Sequence, residues 1–372
     1  MRRDFWCLAT RTTSQTPPVR LSSLDAFRGF TMFWITAGAA LVTALPTFSS
    51  SRLAHALAIE LTHTPWQGFR YYDCIWPSLA MITGISLPFS FAKRSLTQTR
   101  AQILIHMWLR ASILFLLGSL RESVANNAPY LIDFTSGLQA IAVGYLIAAY
   151  LAQRSPKFQA VIAGSIIIVH AFVLAFVPGP GFITGTYQKG PNLVRFVDLA
   201  LLGRAEPDGW GVVLSSIPPI ATTILGLMMG ELLMTERTGI SKARIIATTG
   251  ISLTLAGFAI SPIIPIVMKI YTISYALLAS GWACILFAFF YWIIDVRGNR
   301  RWAFPLEVIG MNALAGYLGV EILPIDRMVS IFSNPLATKL GFPEQLFSAL
   351  AIMLVVWSVL YWMYKRKIFL RA

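Results

Sequence analysis

Ten long apolar runs dominate this chain and leave little choice of fold. Each has roughly the 20 residues that an α-helix needs to cross the hydrocarbon core of a bilayer. Inside that core every backbone polar group must be hydrogen-bonded internally, which favours helices. The runs are Leu24–Leu45, Asp73–Ala92, Ala101–Leu120, Tyr130–Leu151, Phe158–Val177, Trp210–Met234, Ile245–Val267, Thr272–Ile294, Ala303–Leu323 and Leu346–Tyr364. We therefore expect an all-α, polytopic membrane bundle of about ten transmembrane helices.

The composition supports a lipid environment. The 372 residues are 56% apolar and 12% charged, with a mean hydropathy of +0.67, whereas soluble chains carry about 25% charged residues. Residues 1–21 are interpreted as a cytoplasmic lead-in and residues 22–372 as a single transmembrane domain. Leu53–Leu61 is too short to span and is expected at the interface. Asn192–Leu202 has apolar residues at helical spacing, which predicts a short ordered helix.

The distribution of basic residues predicts the topology. The formal net charge is +14, but Lys and Arg lie in short clusters between the apolar runs, so we do not expect nucleic acid as a partner. Of the 30 Lys and Arg, 19 fall on one side of the alternating spans and 9 on the other. Cytoplasmic loops retain positive charge, so both termini are predicted to be cytoplasmic. His63 and the connections Pro178–Gly209 and Pro324–Pro343 are then expected outside.

Polar and aromatic residues crowd into the stretch His63–Asp73, just before the second run. Ionisable residues near a span are costly and usually functional. His63 can serve as a base or as a nucleophile, and Asp73 either caps the helix or orients the imidazole. Trp66 fits an interfacial belt residue, with stacking on a sugar as the alternative.

Further polar groups lie within the apolar runs. Asp25 and Arg28 are spaced i, i+3 on one helix face, where they either anchor the helix end or bind an anionic ligand. Gln139, Asn312 and Glu321 either hydrogen-bond between helices or line a cavity, and we favour a cavity for Asn312.

Small residues and cysteines in the chain suggest structural roles. Gly226 and Gly230 form a pair of the kind that packs helices together. Cys7, Cys74 and Cys284 are widely spaced and match no metal-ligand pattern. We therefore predict neither a disulfide framework nor a metal site.

Several short motifs follow one another over about 300 residues of the chain. They are Ser23–Phe30 (SLDAFRGF), His63 with Trp66, Gly68 and Asp73, Gly137–Gln139 (GLQ), Glu206–Gly209 (EPDG), Asp295–Gly298 (DVRG) and Gly310–Ala313 (GMNA). In these residues the chain resembles the heparan-α-glucosaminide N-acetyltransferase family of transmembrane acyltransferases, in particular bacterial members linked to amino-sugar use.

The resemblance implies an activity and a set of site residues. An acetyl group would pass from cytoplasmic acetyl-CoA to the amino group of a glucosamine-type sugar or glycan outside, with His63 as the catalytic residue and Asp73 as its orienting partner. The candidate residues for acetyl-CoA are Arg28, Asp25 and Gln139, because a guanidinium suits phosphate. The candidate residues for the acceptor are Trp66, Asn312 and Asp208.

The resemblance also implies a cellular location and partners for the protein. The chain departs from the family pattern at two positions. The expected location is the bacterial cytoplasmic membrane, with membrane lipids and an amino sugar or glycan as partners and a homodimer as a candidate assembly. Family members carry an amide or acidic residue where this chain has Ala39, and an arginine where it has Ala140.

Three questions stay open at the level of sequence. His63 could act as a base in direct transfer or carry the acetyl group itself. Polar residues in Pro- and Gly-interrupted spans also occur in transporters, so a transporter of an amino sugar or peptidoglycan fragment is an alternative. Acylation of a different glycan or of a lipid-linked acceptor is another.

Overall fold

The computed structural model describes residues 20–128 and 136–370, and these residues fold into a helical bundle. Most of the predicted lead-in, residues 1–21, and the start of the run at Tyr130 lie outside the described residues. Within them no β-strand forms, and Gln67 and Val267 make an isolated antiparallel bridge. The prediction of an all-α fold is confirmed.

Within residues 20–128 and 136–370, eight helices are long and apolar enough to cross a membrane. They are α1 (Ser22–Thr47), α3 (Tyr71–Ser95), α4 (Arg100–Ala125), α6 (Pro156–Phe176), α8 (Leu214–Leu233), α9 (Gly239–Ile260), α10 (Ile273–Val296) and α14 (Glu344–Lys365). Each contains or overlaps one of the predicted runs, so the chain has the character of an integral membrane protein.

The remaining two runs form helices that depart from a simple span. The run Ala303–Leu323 is split into α11 (Arg301–Met311) and α12 (Ala313–Ile322), which meet at an angle of 60°. The run that ends at Leu151 forms α5 (Gly137–Leu151), an apolar helix of 15 residues in the described part of the chain.

Shorter helices lie between the spans in the described part of the chain. Arg52–Glu60 forms α2, a helix of 9 residues that covers most of the piece Leu53–Leu61; its position at the interface stays a prediction. Leu193–Leu202 forms α7, so the predicted helix in the long connection is confirmed. Ile325–Leu340 forms α13, in a segment interpreted above as a connection. The connection Pro324–Pro343 therefore contains a helix that was not expected, because its apolar residues occupy one face and Pro335 interrupts their pattern.

Glycines bring the central helices α3 and α8 together. A Cβ atom on Gly84 would lie 2.0 Å from the carbonyl oxygen of Thr223, and one on Gly226 would lie 2.1 Å from that of Met81. A Cβ on Gly230 would lie 2.5 Å from the carbonyl oxygen of Ile85. The backbones can approach this closely only without side chains, so the predicted packing role of Gly226 and Gly230 is confirmed.

The largest buried cluster joins α1, α3, α8, α9 and α10 in the middle of the bundle. Phe27, Met81, Ile85 and Phe287 are fully buried there. Phe27 lies 5.8 Å from Phe287 between ring centroids. This apolar core fixes the positions of α1, which carries Asp25 and Arg28, and of α3, which carries Asp73.

Three connections meet at one end of the bundle, here called the His63 end. The segment before α3 contacts the connection between α9 and α10, where the Gly68 N–H donates to the Ile266 carbonyl at 2.9 Å. It also contacts the connection between α6 and α8, where the Trp66 indole N–H donates to the Tyr187 carbonyl at 2.8 Å. The His63 segment and the connection Pro178–Gly209, which were predicted to lie on the same side, are therefore in contact at one end of the bundle. Which side of the membrane this end faces, and the position of Pro324–Pro343, stay predictions.

Candidate functional site

Asp73 closes the first turn of α3 and thereby fixes the segment that precedes it. Its Oδ2 atom accepts the backbone N–H of Arg70 at 3.0 Å, which is a helix cap. Arg70 in turn donates from its guanidinium to the His63 carbonyl at 3.0 Å and to Thr62 Oγ1 at 2.7 Å. Helix capping thus folds residues 62–70 back over the start of α3.

The same carboxylate holds the His63 side chain. Asp73 is fully buried, and its Oδ1 lies 2.9 Å from His63 Nδ1. Thr64 Oγ1 donates to Oδ2 at 2.5 Å, so hydrogen-bond donors surround a group that would be costly to bury alone. Both predicted roles of Asp73, helix cap and imidazole partner, are present in the geometry.

The His63 ring is fixed in orientation and open at its other nitrogen. Its side chain is 40% exposed. The Tyr72 ring lies edge-on at 4.7 Å between centroids, and the Trp210 ring lies edge-on at 5.2 Å. With Nδ1–H directed at a carboxylate, Nε2 carries the free lone pair, by the logic that orients catalytic imidazoles. His63 can therefore take a proton from an acceptor or attack an electrophile.

Lys269 holds Trp210 against His63, a contact that the sequence did not predict. The Lys269 ammonium lies 5.4 Å from the centre of the Trp210 ring and donates to the Asp208 carbonyl at 3.0 Å. The Lys269 carbonyl accepts the N–H of Gly211 at 2.8 Å. Burial lowers the pKa of the Lys269 ammonium, and the nearby Asp208 carboxylate opposes that shift.

Trp66 and Asp208, the predicted acceptor residues at this end, lie beside the site without contacting His63. The Trp66 ring packs against Gly209, where a Cβ would lie 2.8 Å from the ring. Gly209 adopts a φ of +82°, a conformation that favours glycine. Asp208 contributes its backbone carbonyl to Lys269. Their roles in acceptor binding stay predictions.

Asp25 and Arg28 lie toward the opposite end of the bundle. Arg28 Nη1 lies 3.3 Å from Asp25 Oδ1, and Nη2 donates to Ser86 Oγ of α3 at 3.0 Å. Arg20 makes the shorter contact with Asp25, at 2.6 Å. The predicted pair is present, but Asp25 is shared between two guanidinium groups.

Arg110 of α4 adds a second guanidinium near Arg28, and the sequence analysis gave it no role. It interacts electrostatically with Arg28 and lies over the Tyr145 ring at 4.8 Å. Its buried Nε has no hydrogen-bond partner among the described residues. Arg110 thus adds positive charge near Arg28, whose contacting carboxylate, Asp25, is already shared with Arg20. This excess of positive charge favours an anionic ligand.

Gln139 and Asn312 lie apart from both groups. Gln139 caps α5, with Oε1 accepting the Ser136 N–H at 3.1 Å and Nε2 donating to Ser119 at 2.9 Å. Both ends of its amide are therefore engaged. Asn312 is fully buried at the break between α11 and α12. Its Oδ1 accepts the Leu370 N–H at 3.2 Å, while its Nδ2 has no partner in the described chain.

Within the described residues, no group of three or more His, Cys, Asp and Glu side chains is placed to hold a metal ion. Cys74 and Cys284 are buried and free, and Cys7 lies outside the described part. Comparison of the chain with protein-family models finds no matching family, and comparison with curated proteins finds no match.

Proposed function

We propose that the protein is a membrane-embedded acetyltransferase. It moves an acetyl group from cytoplasmic acetyl-CoA to the amino group of a glucosamine-type sugar or glycan on the outer face of a bacterial cytoplasmic membrane. The observation that carries the proposal is the contact of His63 with buried Asp73 at 2.9 Å, beside a surface open to ligand. The resemblance to transmembrane acyltransferases supplies the reaction class.

The charges predict the topology of the reaction. All ten apolar runs would cross the membrane, with α11 and α12 as one broken span and with both termini in the cytoplasm. The excess of Lys and Arg on the side opposite His63 supports this orientation. His63 then meets an acceptor outside, and Arg28 and Arg110 are reached from inside.

The distance between the two groups suits an extended donor. Asp73 and Ser86 of α3 are thirteen positions apart and therefore separated by about 20 Å at a rise of 1.5 Å per residue. Ser86 contacts Arg28. An extended pantetheine arm is comparable in length. Phosphates held at Arg28 and Arg110 would thus leave a thioester near His63, and guanidinium groups are well suited to such oxyanions.

His63 supplies the proton transfer. As the acceptor nitrogen attacks the thioester carbonyl carbon, Nε2 removes the proton from that nitrogen. The C–N bond forms, the C–S bond breaks, and the imidazolium returns the proton to the leaving thiolate. The buried Asp73 carboxylate stabilises the imidazolium in between. In the covalent alternative, Nε2 attacks the thioester carbonyl carbon, the C–S bond breaks and CoA leaves as the thiolate. The amine then attacks the acetyl carbon, the bond to Nε2 breaks, and the proton lost by the amine goes to the thiolate.

Purified protein in nanodiscs, supplied with acetyl-CoA and glucosamine, tests the proposal through release of CoA thiol. We expect His63→Ala to reduce the rate by about 100-fold or more, the usual contribution of a general base. His55→Ala is the matched control, since His55 is an exposed histidine of α2 at the same end. Equal rates in wild type and His63→Ala would remove His63 from the mechanism.

A transporter is the second candidate function, favoured by the 60° break between α11 and α12. It predicts uptake of labelled glucosamine into vesicles that contain no acetyl-CoA. Product formation that depends strictly on acetyl-CoA would rule this candidate out.

Trapping of acetylated protein in the absence of acceptor would distinguish the covalent route of the acetyltransferase from direct transfer.

A further inference from the structure

Lys269 is a buried lysine in the connection between α9 and α10, with a relative exposure of 8%. Within the described residues its ammonium makes one hydrogen bond, to the Asp208 backbone carbonyl at 3.0 Å, and lies over the Trp210 ring at 5.4 Å. Burial of an ammonium without a salt bridge is costly. An apolar side chain of the same length would fill the space at lower cost, so the charge itself needs a reason.

The contact with Trp210 supplies that reason. A cation is attracted to the face of an indole ring, and the attraction is stronger where water is excluded. The Lys269 carbonyl also accepts the Gly211 N–H at 2.8 Å and the Ser215 hydroxyl at 3.3 Å. Lys269 therefore holds the backbone on both sides of Trp210 as well as the ring itself.

Trp210 is one of two aromatic rings that contact the His63 imidazole. The Tyr72 ring lies 4.7 Å from it and the Trp210 ring 5.2 Å from it, both edge-on. The Asp73 carboxylate fixes Nδ1 at 2.9 Å, but one hydrogen bond leaves the imidazole free to rotate about that bond. Contact with the two rings limits this rotation. The direction of Nε2 therefore depends on Trp210 as well as on Asp73.

The connection between α9 and α10 is itself held in one conformation. Tyr271 has a φ of +54°, which aromatic residues adopt only where their surroundings impose it. The Thr272 hydroxyl donates to the Pro265 carbonyl at 2.8 Å. At the start of α10, the buried Tyr275 hydroxyl donates to the Asp73 backbone carbonyl at 2.8 Å. This part of the chain thus contacts both Asp73 and Trp210, the two neighbours that orient the imidazole.

We propose that Lys269 is a positioning residue for His63 and acts through Trp210. Its ammonium holds the indole ring against the imidazole, and the imidazole then presents Nε2 to the reacting group in one direction. This inference rests on the proposed acetyltransferase function, because it assigns a further support to the base of that reaction.

Three substitutions separate the charge of Lys269 from its bulk. Lys269→Met keeps the length of the side chain and removes the charge. Lys269→Arg keeps the charge, and a guanidinium also binds the face of an indole. Lys189→Met is the matched control, because Lys189 is an exposed lysine at the same end, with its Cγ 3.8 Å from the position of a Cβ on Gly209. Lys269→Gln, whose amide can still donate to the Asp208 carbonyl, replaces Lys269→Met if that variant does not fold.

The first measurement is the rate of acetyl transfer in nanodiscs. We expect Lys269→Met to lower kcat about tenfold, since small displacements of a catalytic group are costly. The KM for acetyl-CoA should stay within about twofold, because the groups proposed to bind its phosphates, Arg28 and Arg110, are unchanged. Lys269→Arg should recover most of kcat, and Lys189→Met should match wild type. An unchanged kcat in Lys269→Met, an equal loss in Lys189→Met, or no recovery in Lys269→Arg would overturn the inference.

A double-mutant cycle tests whether Lys269 acts through Trp210. Trp210→Leu removes the ring on which the ammonium lies. In that background Lys269→Met should change kcat by no more than about twofold, compared with about tenfold in wild type, because residues that act through one another have non-additive effects. The same tenfold loss in both backgrounds would mean that Lys269 acts independently of Trp210, and the inference would be wrong.

Chemical modification without substrates separates this inference from the proposed function. Diethyl pyrocarbonate acylates neutral imidazole nitrogens, and at about pH 8 an ordinary imidazole is neutral, so the rate reports access to the nitrogen. His55, an exposed histidine of α2, serves as the internal standard. We expect the rate at His63 relative to His55, measured by mass spectrometry of the peptides, to rise several-fold in Lys269→Met and to return toward wild type in Lys269→Arg.

The two kinds of measurement fail in different ways. An unchanged modification ratio in Lys269→Met would overturn the positioning role even if wild type transfers acetyl groups. A raised ratio in a protein that transfers no acetyl group would support the positioning role and count against the proposed function alone.

Discussion

A single residue, Asp73, links the local fold to the proposed chemistry. Its carboxylate caps the first turn of α3 through Arg70, accepts the Thr64 hydroxyl, and contacts His63. Folding of the segment and orientation of the imidazole therefore depend on the same two oxygen atoms. A substitution that changes only their hydrogen-bonding capacity should affect both stability and activity.

We expect Asp73→Asn to reduce kcat by about 100-fold or more, because an amide cannot stabilise an imidazolium as a carboxylate does. The new NH2 group would also face N–H and O–H donors, so the free energy of unfolding should fall by about 1–3 kcal/mol. Acetyl transfer and thermal unfolding, measured on the same preparation, give the two effects.

Asp198→Asn serves as the control for this substitution. Asp198 is a buried carboxylate at the same end that accepts the backbone N–H groups of Val212 and Val213, each at 2.9 Å. Loss of those contacts should lower the unfolding temperature but leave most of kcat. A similar loss of kcat in both variants would assign the effect of Asp73→Asn to folding and not to His63.

At the scale of residues, the sequence predicted contacts that are close in the chain and missed those that are distant. His63 and Asp73 are ten positions apart, and Asp25 and Arg28 are one helical turn apart. Trp210 and Lys269 reach His63 only because three connections meet at one end of the bundle. The proximity of Arg110 to Arg28 likewise depends on how α1 and α4 pack, and the spacing of residues in the sequence does not predict that packing.

At the scale of elements, the contact between α3 and α8 depends on glycine. We expect Gly226→Leu to destabilise the bundle by several kcal/mol, because its Cβ would lie 2.1 Å from the Met81 carbonyl oxygen and the helices would have to separate. The yield of folded protein and its unfolding temperature in detergent measure the effect. Gly164→Leu is the control and should behave like wild type, because nothing lies within 4 Å of a Cβ at Gly164. Equal losses of folded protein and of unfolding temperature in both variants would argue against close packing at Gly226.

Apolar periodicity predicted the long helices well because each is buried in lipid or protein around most of its surface. It missed α13, which carries Asp326 in its first turn and Lys339 in its last turn and resembles a loop in composition. Polar residues such as Asn312 interrupt the run Ala303–Leu323 in the sequence, but the pattern did not predict that the helix bends by 60° between Met311 and Ala313.

At the scale of the molecule, two groups of polar residues lie at different depths of one apolar bundle. His63 and Asp73 are at one end, and Arg28 and Arg110 lie toward the other, with α3 contacting both through Asp73 and Ser86. A reaction across a membrane requires such an arrangement, because donor and acceptor approach from opposite sides. The arrangement has this meaning only if the His63 end faces outward.

The orientation can be measured with single cysteines. Gln188 is exposed at the His63 end, and Glu236 is exposed in the turn between α8 and α9 at the opposite end. Cys74 and Cys284 are buried, so replacing Cys7 by serine provides a background of low reactivity. In right-side-out vesicles, an impermeant maleimide should label Gln188→Cys, and Glu236→Cys should react only after permeabilisation, as the excess of basic residues on the Glu236 side predicts. The reverse pattern would place His63 in the cytoplasm, where donor and acceptor meet on the same side, and transfer across the membrane would no longer be needed.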